Sequence, residues 1–362
     1  MKKLLTLLGI CLALVLLLSA CATPVAPTPV TPTPVASPEV IKWTMQSWDP
    51  ETPVFGHFYP YVLTNVVGRG WADWVEEVSN GRLEINYMAP GSCYPPNEAL
   101  INIGKGTIQC SFTSSGYAGG LMPETYIAGN MPFTWTTAAL GYDAYYQLGI
   151  YDIMEEAYGE HNVIHIPTLE QFPLNMATMF ECQSPKDIIG RKIRIYGAQA
   201  KYIEAIGGLP VSMAYADVYM GLKLGTVEGA TLGSHALEDI KLKEVIKGYV
   251  ISPTSINPCD AILMNKDAFE ELPIDLQKTI LRDSKYFFAA ASFMTELTMQ
   301  WICADAQKNY GVELYTWSAE DTKWVREVCR EKVWPELASA NPRCQRMVEI
   351  IENQLVEYGL LD

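Results

Sequence analysis

Arg194 lies between two isoleucines in the segment GRKIRIYG, residues 190–197, of a chain whose formal net charge is −15. A guanidinium group presents a planar fork of donors that matches a carboxylate, and it keeps its charge when it is desolvated. In an acidic protein, a few local cations must bind any anion against the overall field. Arg194 is therefore our candidate for anion binding, with a structural ion pair as the alternative. The neighbouring Arg191 and Lys192 are expected to be solvated.

The sequence contains none of the common catalytic motifs. No HExxH, GxSxG, P-loop or GxGxxG pattern occurs, and the four histidines are scattered along the chain: His57, His161, His165 and His235. The cysteines after Cys21 show no CxxC pair and no zinc spacing. We therefore expect no enzyme activity, no metal site and no cofactor. A secreted hydrolase built on dispersed residues is the alternative. Cys329 and Cys344 either join two C-terminal helices or are buried thiols.

The N-terminal segment predicts export. The residues MKK precede an apolar run over 4–18, and the motif LSAC follows, with Cys21 as its last residue. Small residues before a cysteine resemble the bacterial lipoprotein processing site. Residues 1–21 are therefore predicted to be a lipoprotein signal peptide, and Cys21 is predicted to carry a lipid that anchors the protein outside the cytoplasm. A plain secretory signal is the alternative. The proline-rich residues 22–38 predict an extended tether.

The remaining chain has roughly 320 residues, enough for two domains of ordinary size. No later stretch is long and apolar enough to span a bilayer. The acidic balance argues against nucleic acid and against anionic membrane surfaces as partners. We therefore expect a globular protein whose contact with the membrane is through its lipid anchor.

The first half of this region predicts a βαβαβ unit. Strand patterns over 41–48, 82–88 and 107–114 alternate with helical patterns over 66–79 and 97–105. Asn80 and Gly81 end the first of these helices. This order predicts a mostly parallel sheet with helices on its faces. A helical stretch near 137–158 and strands over 163–169 and 174–180 follow.

A second unit repeats this rhythm from Ser184 onward. Ser184 and Pro185 suit the first turn of a short helix, and Gly190 ends it. Strands are predicted over 192–196, 209–213 and 227–233, with helices over 199–206 and 216–224. Two such units, exported and tethered, predict an α/β protein with two lobes.

Later segments are predicted to connect the two lobes. Strands over 248–254 and 260–266 are expected to return the chain to the first lobe. Pro273 opens a helix that continues to about Tyr310, a length of about 55 Å that is sufficient to cross two domains. The tail over 319–358 is predicted to be helical and carries no candidate chemistry.

Five segments together resemble one protein family. They are SNGRLEINYMAPGS (79–92), MPF (131–133), DIIGRKIRIYG (187–197), GGLPVSMAYADVYMGLKLGTVEGA (207–230) and MNKDAFEELPIDLQKTI (264–280). In this order and spacing they resemble the solute-binding proteins of tripartite ATP-independent periplasmic (TRAP) transporters, of the C4-dicarboxylate-receptor type. The resemblance implies a periplasmic-binding-protein-like fold, also called a Venus flytrap, with a long helix spanning both domains. It covers nearly the whole chain after the tether.

The resemblance implies a function and a division of the chain. The protein would capture a small organic acid by hinge closure and deliver it to the small and large membrane subunits of a permease driven by an ion gradient. Domain I would comprise 39–165 plus 251–285, and domain II would comprise 166–250 plus 286–362. The alternatives are an ABC-type substrate-binding lipoprotein and a ligand sensor domain.

The resemblance also implies the site residues. Arg194 would form a bidentate salt bridge to the ligand carboxylate. Dicarboxylate-type members carry a second arginine roughly twenty residues upstream, where this chain has Leu174 or Asn175. A ligand with one carboxylate and a partly apolar or aromatic body is therefore expected. The acidic residue of the family's D-G pair corresponds to Glu228, which is expected to be a structural cap or hinge contact.

Further candidates for ligand binding are aromatic or polar residues on segments that line the cleft in the family. For each aromatic residue, ordinary packing is the alternative, and for Ser115 the alternative is a turn. The full set of predicted ligand-binding residues is Arg194, Asn175, Phe172, Trp48, Ser115, Phe133, Tyr215, Thr231 and His235.

Overall fold

The computed structural model describes residues 40–48, 68–168, 174–195, 197–251 and 260–361. The chain divides after Glu39, and Val40–Asp362 forms one compact unit. The predicted signal peptide, Cys21 and the tether lie outside the described residues and remain predictions. Within the described part of the chain, every helix is too short or too polar to span a lipid bilayer.

The first sheet has five strands in the order β2-β1-β3-β10-β4. Strand β1 is parallel to β2 and β3, as the βαβαβ pattern predicts, whereas β10 runs antiparallel between β3 and β4. Its strands are β1 (Ile41–Ser47), β2 (Leu83–Met88), β3 (Cys110–Ser114), β4 (Val163–Pro167) and β10 (Asp260–Asn265).

The second sheet has six strands in the order β11-β9-β5-β8-β6-β7. Strand β6 is parallel to β7 and β8, and β5 runs antiparallel to β8 and β9. Its strands are β5 (Asn175–Thr178), β6 (Lys192–Arg194), β7 (Leu209–Val211), β8 (Gly229–Leu232), β9 (Gly248–Val250) and β11 (Glu313–Tyr315). The strand predicted over 248–254 therefore belongs to the second sheet, and the return to the first sheet is made by β10 alone.

Helices cover the faces of both sheets. They are α1 (Gly68–Val78), α2 (Ala99–Gly104), α3 (Glu124–Asn130), α4 (Ala138–Tyr146), α5 (Ile150–Gly159), α6 (Gln199–Ala205), α7 (Val218–Lys223), α8 (Ala236–Asp239), α9 (Lys266–Glu270), α10 (Ile274–Tyr310), α11 (Ala319–Val328), α12 (Trp334–Ala338) and α13 (Pro342–Glu357). Between α11 and α12 the chain forms a π-helical turn, Cys329–Val333.

Glycines end helices at the predicted places. Helix α1 buries Trp71 and Val75 and stops before Asn80 and Gly81, which have φ angles of 53° and 72°. A left-handed residue here turns the chain so that the N–H of Gly81 donates to the carbonyl of Glu76 at 2.9 Å. This turn directs the chain into β2.

The turn before β6 sets the register of Arg194. Ser184 accepts a hydrogen bond from the N–H of Lys186, and the Asp187 side chain accepts from the N–H of Ser184, which together form a capping box on the helical turn Pro185–Ile188. Gly190 has a φ angle of 75°, and its N–H donates to the carbonyl of Gly207 at 2.8 Å. These contacts hold the start of β6 next to the start of β7.

Helix α10 joins the two halves of the protein. It has 37 residues and, at about 1.5 Å per residue, it is about 55 Å long. Leu276 and Phe288 lie in the apolar cluster under the first sheet, whereas Ile302 and Ala306 lie in a cluster under the second. The predicted α/β fold with a long helix spanning both lobes is therefore confirmed. The residue bounds of the two domains remain a prediction.

Three apolar clusters form the core, and all of their members lie within residues 40–362. The largest contains residues of both sheets and of α11, α12 and α13. Cys329 and Cys344 belong to it as free thiols. Because Val40–Asp362 forms one compact unit, we expect this segment to fold without the preceding 39 residues.

His165 on β4 is a polar residue inside this core. It is 2% exposed, and its ring is stacked against Tyr158 and Tyr151, with ring centroids 4.6 Å and 5.4 Å away. Neither ring nitrogen has a hydrogen-bond partner among the described residues. Burial lowers the pKa of His165 to about 3 because the charged imidazolium loses its hydration.

The depressed pKa of His165 predicts an acid-sensitive fold. In the unfolded chain His165 has a pKa of about 6.5, so below that pH it binds a proton that it does not bind in the folded protein. The neutral, buried His165 therefore favours the folded state less and less as the pH falls from about 6.5 toward 3. We expect His165→Phe to abolish about 2 kcal/mol of the stability loss between about pH 7 and pH 5. Urea unfolding of residues 40–362 at the two pH values measures the free energy of unfolding of each protein.

The matched control is His161→Phe, because His161 is only half-buried. It should keep the pH dependence of the unmodified protein. Equal pH slopes for His165→Phe and the unmodified protein would contradict the assignment of this slope to His165.

Candidate functional site

The candidate site lies where strands of the second sheet end. Arg194 is the last residue of β6, Leu232 is the last residue of β8, and Asn175 is the first residue of the antiparallel strand β5. Asn175 pairs with Leu232, and Arg194 pairs with Ala230. Because β6 and β8 end where β5 begins, these residues share one edge of the sheet. We call it the Arg194 edge.

The first sheet presents a matching edge. Strand β3 ends at Ser114, which pairs with Asp260 at the start of β10, and β10 in turn pairs with the end of β4. Residues 168–174 connect β4 to β5, and residues 251–259 connect β9 to β10. Both connections therefore run from this edge to the Arg194 edge. In α/β proteins, ligands bind outside the carboxyl ends of strands, which is where both edges lie.

Arg194 is 4% exposed. Its Nε donates to the carbonyl of Met213 at 3.1 Å, and its Nη1 donates to the carbonyl of Thr231 at 3.2 Å. These two main-chain carbonyls carry no net charge, and they orient the guanidinium. A buried group that stays charged is favourable only with such partners or with an anion.

The side chain of Arg191 is 39% exposed and also has partners within the protein, so it is solvated only in part. Its Nη1 lies 2.6 Å from Oε1 of Glu228, and its guanidinium lies over the ring of Phe180 at 4.1 Å. Glu228 also accepts the N–H of Lys192 at 3.2 Å. The hydrogen bond from Arg191 lowers the pKa of Glu228. Through these two contacts, Glu228 links the start of β8 to the start of β6.

Asn175 is polar and 1% exposed. Its Nδ2 donates to Oγ of Ser234 at 3.1 Å, and Ser234 also accepts a hydrogen bond from Tyr249 at 3.2 Å. The Oδ1 atom of Asn175 is buried and has no hydrogen-bond partner among the described residues. An unpaired buried oxygen costs about 1–3 kcal/mol, so a donor from a bound molecule would be favourable there.

Thr231, Tyr215 and His235 lie beside the Arg194 edge. Thr231 is 2% exposed, and its carbonyl is one of the two acceptors of Arg194. His235 directly precedes α8, and its ring is stacked on Tyr215 with centroids 5.9 Å apart. The hydroxyl of Tyr215 lies 3.4 Å from Oδ2 of Asp239. The structure therefore brings these three predicted residues together with Arg194 and Asn175.

Trp48 and Ser115 lie at the edge of the first sheet. Trp48 follows β1, and its ring contacts those of Phe112 and Tyr117, with centroids 6.4 Å and 6.1 Å away. Ser115 directly follows β3 and is 6% exposed. Their position fits a site between the two edges, and their roles remain predictions.

Phe133 lies deeper, and Phe172 lies outside the described residues. Phe133 is 1% exposed and contacts the ring of Tyr202 edge-on, with centroids 5.3 Å apart. It has a φ angle of 59°, and its carbonyl accepts a hydrogen bond from Arg326 at 2.9 Å. Core packing accounts for every one of these contacts, so a ligand role for Phe133 has no support from its surroundings.

Sequence patterns missed a groove of about 990 Å³. Its walls come from α4 and α10, and its lining includes Tyr142, Phe293 and Met299 together with Asn175 and Ser234. The groove is largely apolar and reaches the Arg194 edge through Asn175. The small residues of α10 were the available signal, but the partner wall is more than a hundred residues away in sequence.

Metal ligation has no candidate in the described part of the chain, because no three His, Cys, Asp or Glu side chains come together there in a suitable arrangement. The Arg194 edge offers groups that are suited to contact with an organic anion. It combines one buried cation, one unpaired amide oxygen and an adjoining apolar groove.

Comparison with known proteins supports this interpretation. A curated relative, the monocarboxylate 2-oxoacid-binding periplasmic protein of Nostoc sp. (strain PCC 7120), is 28% identical over 229 residues, which cover 62% of this chain and 60% of that protein. The C4-dicarboxylate-binding periplasmic protein DctP of Rhodobacter capsulatus is 23% identical over 282 residues, covering 72% of this chain and 79% of that protein.

Solved structures share the fold. A TRAP periplasmic solute-binding protein from Pseudoalteromonas atlantica, solved with bound sodium and pyruvate, superimposes with a TM-score of 0.74 at 20% identity, covering 89% of this chain and 96% of that chain. One from Rhodoferax ferrireducens, solved with bound malonate, has a TM-score of 0.75 at 19% identity, covering 87% of this chain and 98% of that chain.

A family model decides the assignment. The model described as bacterial extracellular solute-binding protein, family 7, matches residues 63–340, which is most of the chain and includes both edges of the candidate site. The resemblance found from the five sequence segments is thereby confirmed. The chain belongs to the bacterial extracellular solute-binding proteins of family 7.

Proposed function

We propose that the protein captures a small organic acid with one carboxylate and delivers it to a TRAP permease. The observation that carries this proposal is Arg194, a guanidinium that is 4% exposed and held at a sheet edge by two uncharged carbonyls. A desolvated guanidinium binds a carboxylate strongly, because charge-assisted pairs gain from the low local dielectric. The side chain of Arg191 is 39% exposed, so its guanidinium is less desolvated than that of Arg194.

The ligand class follows from the residues around Arg194. Leu174 or Asn175 stands where dicarboxylate-type relatives are expected to carry a second arginine, so a second carboxylate would find no arginine at that position. The unpaired Oδ1 of Asn175 instead suits a hydroxyl or amine donor. The apolar groove beside it suits a short apolar body. The names of the relatives, which include a 2-oxoacid-binding protein and a pyruvate complex, agree with a monocarboxylate.

Capture would proceed by closure of two lobes. Domain I (39–165 plus 251–285) and domain II (166–250 plus 286–362) are joined by the connections 168–174 and 251–259 and by α10. A ligand held between the two edges contacts both lobes, and it therefore stabilises the closed form by contacts that the open form lacks.

The cellular context follows from the family and from the N-terminal sequence. Family 7 proteins are extracytoplasmic, and we propose that Cys21 carries a lipid that anchors this one to the cell membrane. The small and large permease subunits would then receive the ligand and use an ion gradient. The protein itself is proposed to bind without turnover.

Replacing Arg194 tests the proposal. We expect Arg194→Ala to weaken binding of its carboxylate ligand by at least about thirtyfold, because breaking one side of a desolvated charge pair costs roughly 2–5 kcal/mol. Arg194→Lys should have an affinity between those of the unmodified protein and Arg194→Ala, since an ammonium group keeps the charge but lacks the planar fork of donors. Calorimetric titration of residues 40–362 with pyruvate, other monocarboxylates and dicarboxylates gives the affinities.

The control is Arg191→Ala, which removes a neighbouring guanidinium on the same strand segment. It should leave affinity within about threefold of the unmodified protein, since its contacts are structural. Thermal unfolding checks that each variant is folded. Unchanged affinity in a folded Arg194→Ala protein, or equal losses in both variants, would refute the role of Arg194.

Asn175 provides an independent test. Leucine has a similar size and removes the unpaired Oδ1, so Asn175→Leu should leave the ligand-free protein as stable or raise its stability by about 1 kcal/mol. The same change should lower the affinity for a ligand that donates a hydrogen bond to Asn175. Urea unfolding and titration of one preparation measure both effects. Lower stability with unchanged affinity would mean that Asn175 has only a structural role.

A further inference from the structure

Ser234 holds the side-chain amide of Asn175 in one orientation. Its Oγ accepts a hydrogen bond from Nδ2 of Asn175 at 3.1 Å and another from the hydroxyl of Tyr249 at 3.2 Å. The thiol of Cys303 lies 3.6 Å from the same oxygen. A serine hydroxyl has two lone pairs and one proton, so these three neighbours can use its full hydrogen-bonding capacity. Ser234 is buried, and its contacts are shielded from water.

The reverse orientation of the amide would be less favourable. In the structure, the one atom of the Asn175 amide without a partner among the described residues is the acceptor Oδ1. The reverse orientation would turn the two N–H groups of Nδ2 away from Ser234 instead. Buried N–H groups without partners are rarer in proteins than buried carbonyl oxygens without partners. The protein therefore presents a hydrogen-bond acceptor at this point, and Ser234 keeps it there.

This acceptor lies on the same face of the second sheet as Arg194. Asn175 is paired with Leu232 on β8. Arg194 is paired with Ala230, two positions earlier on the same strand. Side chains two positions apart point to the same face, so both site residues share that face. The Nη1 of Arg194 donates to the carbonyl of Thr231 on β8, and β5 is the next strand, about 4.8 Å away. A substituent next to the carboxylate of a bound acid can therefore reach Asn175.

We propose that Ser234 and Asn175 make the site selective for a 2-hydroxy monocarboxylate over its 2-oxo analogue. This inference rests on the proposed function, in which Arg194 binds the carboxylate. A hydroxyl on the second carbon donates to Oδ1 of Asn175 and gives it a partner. An oxo group has lone pairs only, so it and Oδ1 are both buried without a donor. A site that bonds a substrate hydroxyl rejects the analogue that lacks it, because its own polar group is then left unpaired.

An ammonium group is the other donor of similar size, and it suits this position less well. The three side chains that meet Asn175 at Ser234 or through it are Ser234, Tyr249 and Cys303. Burial raises the pKa of the Tyr249 hydroxyl and of the Cys303 thiol, so both groups stay uncharged. An ammonium group would thus be buried against neutral partners, which is unfavourable for a full charge. A neutral hydroxyl avoids this cost.

The experiment compares both enantiomers of lactate with pyruvate, which differs from them only at the second carbon. Calorimetric titration of residues 40–362 gives the affinities. One enantiomer of lactate should bind at least about tenfold more tightly than pyruvate. Ser234→Ala should reduce this ratio to within about threefold, because the amide of Asn175 then loses the contact that orients it. Arg194→Ala should weaken the binding of both acids.

The matched control is Cys303→Ala, which removes a neighbour of Ser234 that does not touch the amide in the hydrogen-bond network. It should keep the lactate-to-pyruvate ratio of the unmodified protein. Asn175→Leu is a second variant that removes Oδ1 itself, and it should also bring the ratio to within about threefold. It tests the proposal even where Ser234→Ala does not fold.

Four outcomes would overturn the selectivity. They are equal or tighter binding of pyruvate by the unmodified protein, a ratio that both Ser234→Ala and Asn175→Leu leave intact, an equal fall of the ratio in Cys303→Ala, and tighter binding of L-alanine than of lactate. In each case, a loss of monocarboxylate binding in Arg194→Ala would still support the proposed function. Failure of every monocarboxylate to bind the unmodified protein would refute both proposals.

Discussion

The structure depends on keeping a charged guanidinium buried in an acidic protein. Arg194 is 4% exposed, and the carbonyls of Met213 and Thr231 hold its Nε and Nη1. Taking such a group out of water is costly, so its acceptors must be fixed before the ligand arrives. The capping box at Ser184 and the left-handed Gly190 help to fix them, because they hold β6 between β7 and β8.

Local signals in the sequence were sufficient for most of the fold. Alternating apolar residues located the strands, while Gly81 and Gly190 located the turns that end helical segments. Pro273 marked the start of α10 correctly, and its C-terminus at Tyr310 was also predicted. Strand β11 was missed because it has only three residues, none of them buried, and so carries little periodic signal.

The sequence predicted part of the candidate site. The features that it did not predict all depend on contacts between residues far apart in the sequence. Arg194 and Asn175 were identified from the sequence, but their position on one edge depends on the antiparallel pairing of β5 with β8. The bond between Arg191 and Glu228 joins residues 37 positions apart, and no local rule predicts it. The apolar groove joins α4 to α10, so its walls become visible only after the chain has folded.

The most direct measurement is a crystal structure of residues 40–362 with the carboxylate that binds most tightly. We expect two carboxylate oxygens about 2.7–2.9 Å from guanidinium nitrogens of Arg194, with the body of the ligand between the two sheet edges. A ligand that is bound elsewhere, or whose carboxylate is turned away from Arg194, would refute carboxylate binding by Arg194.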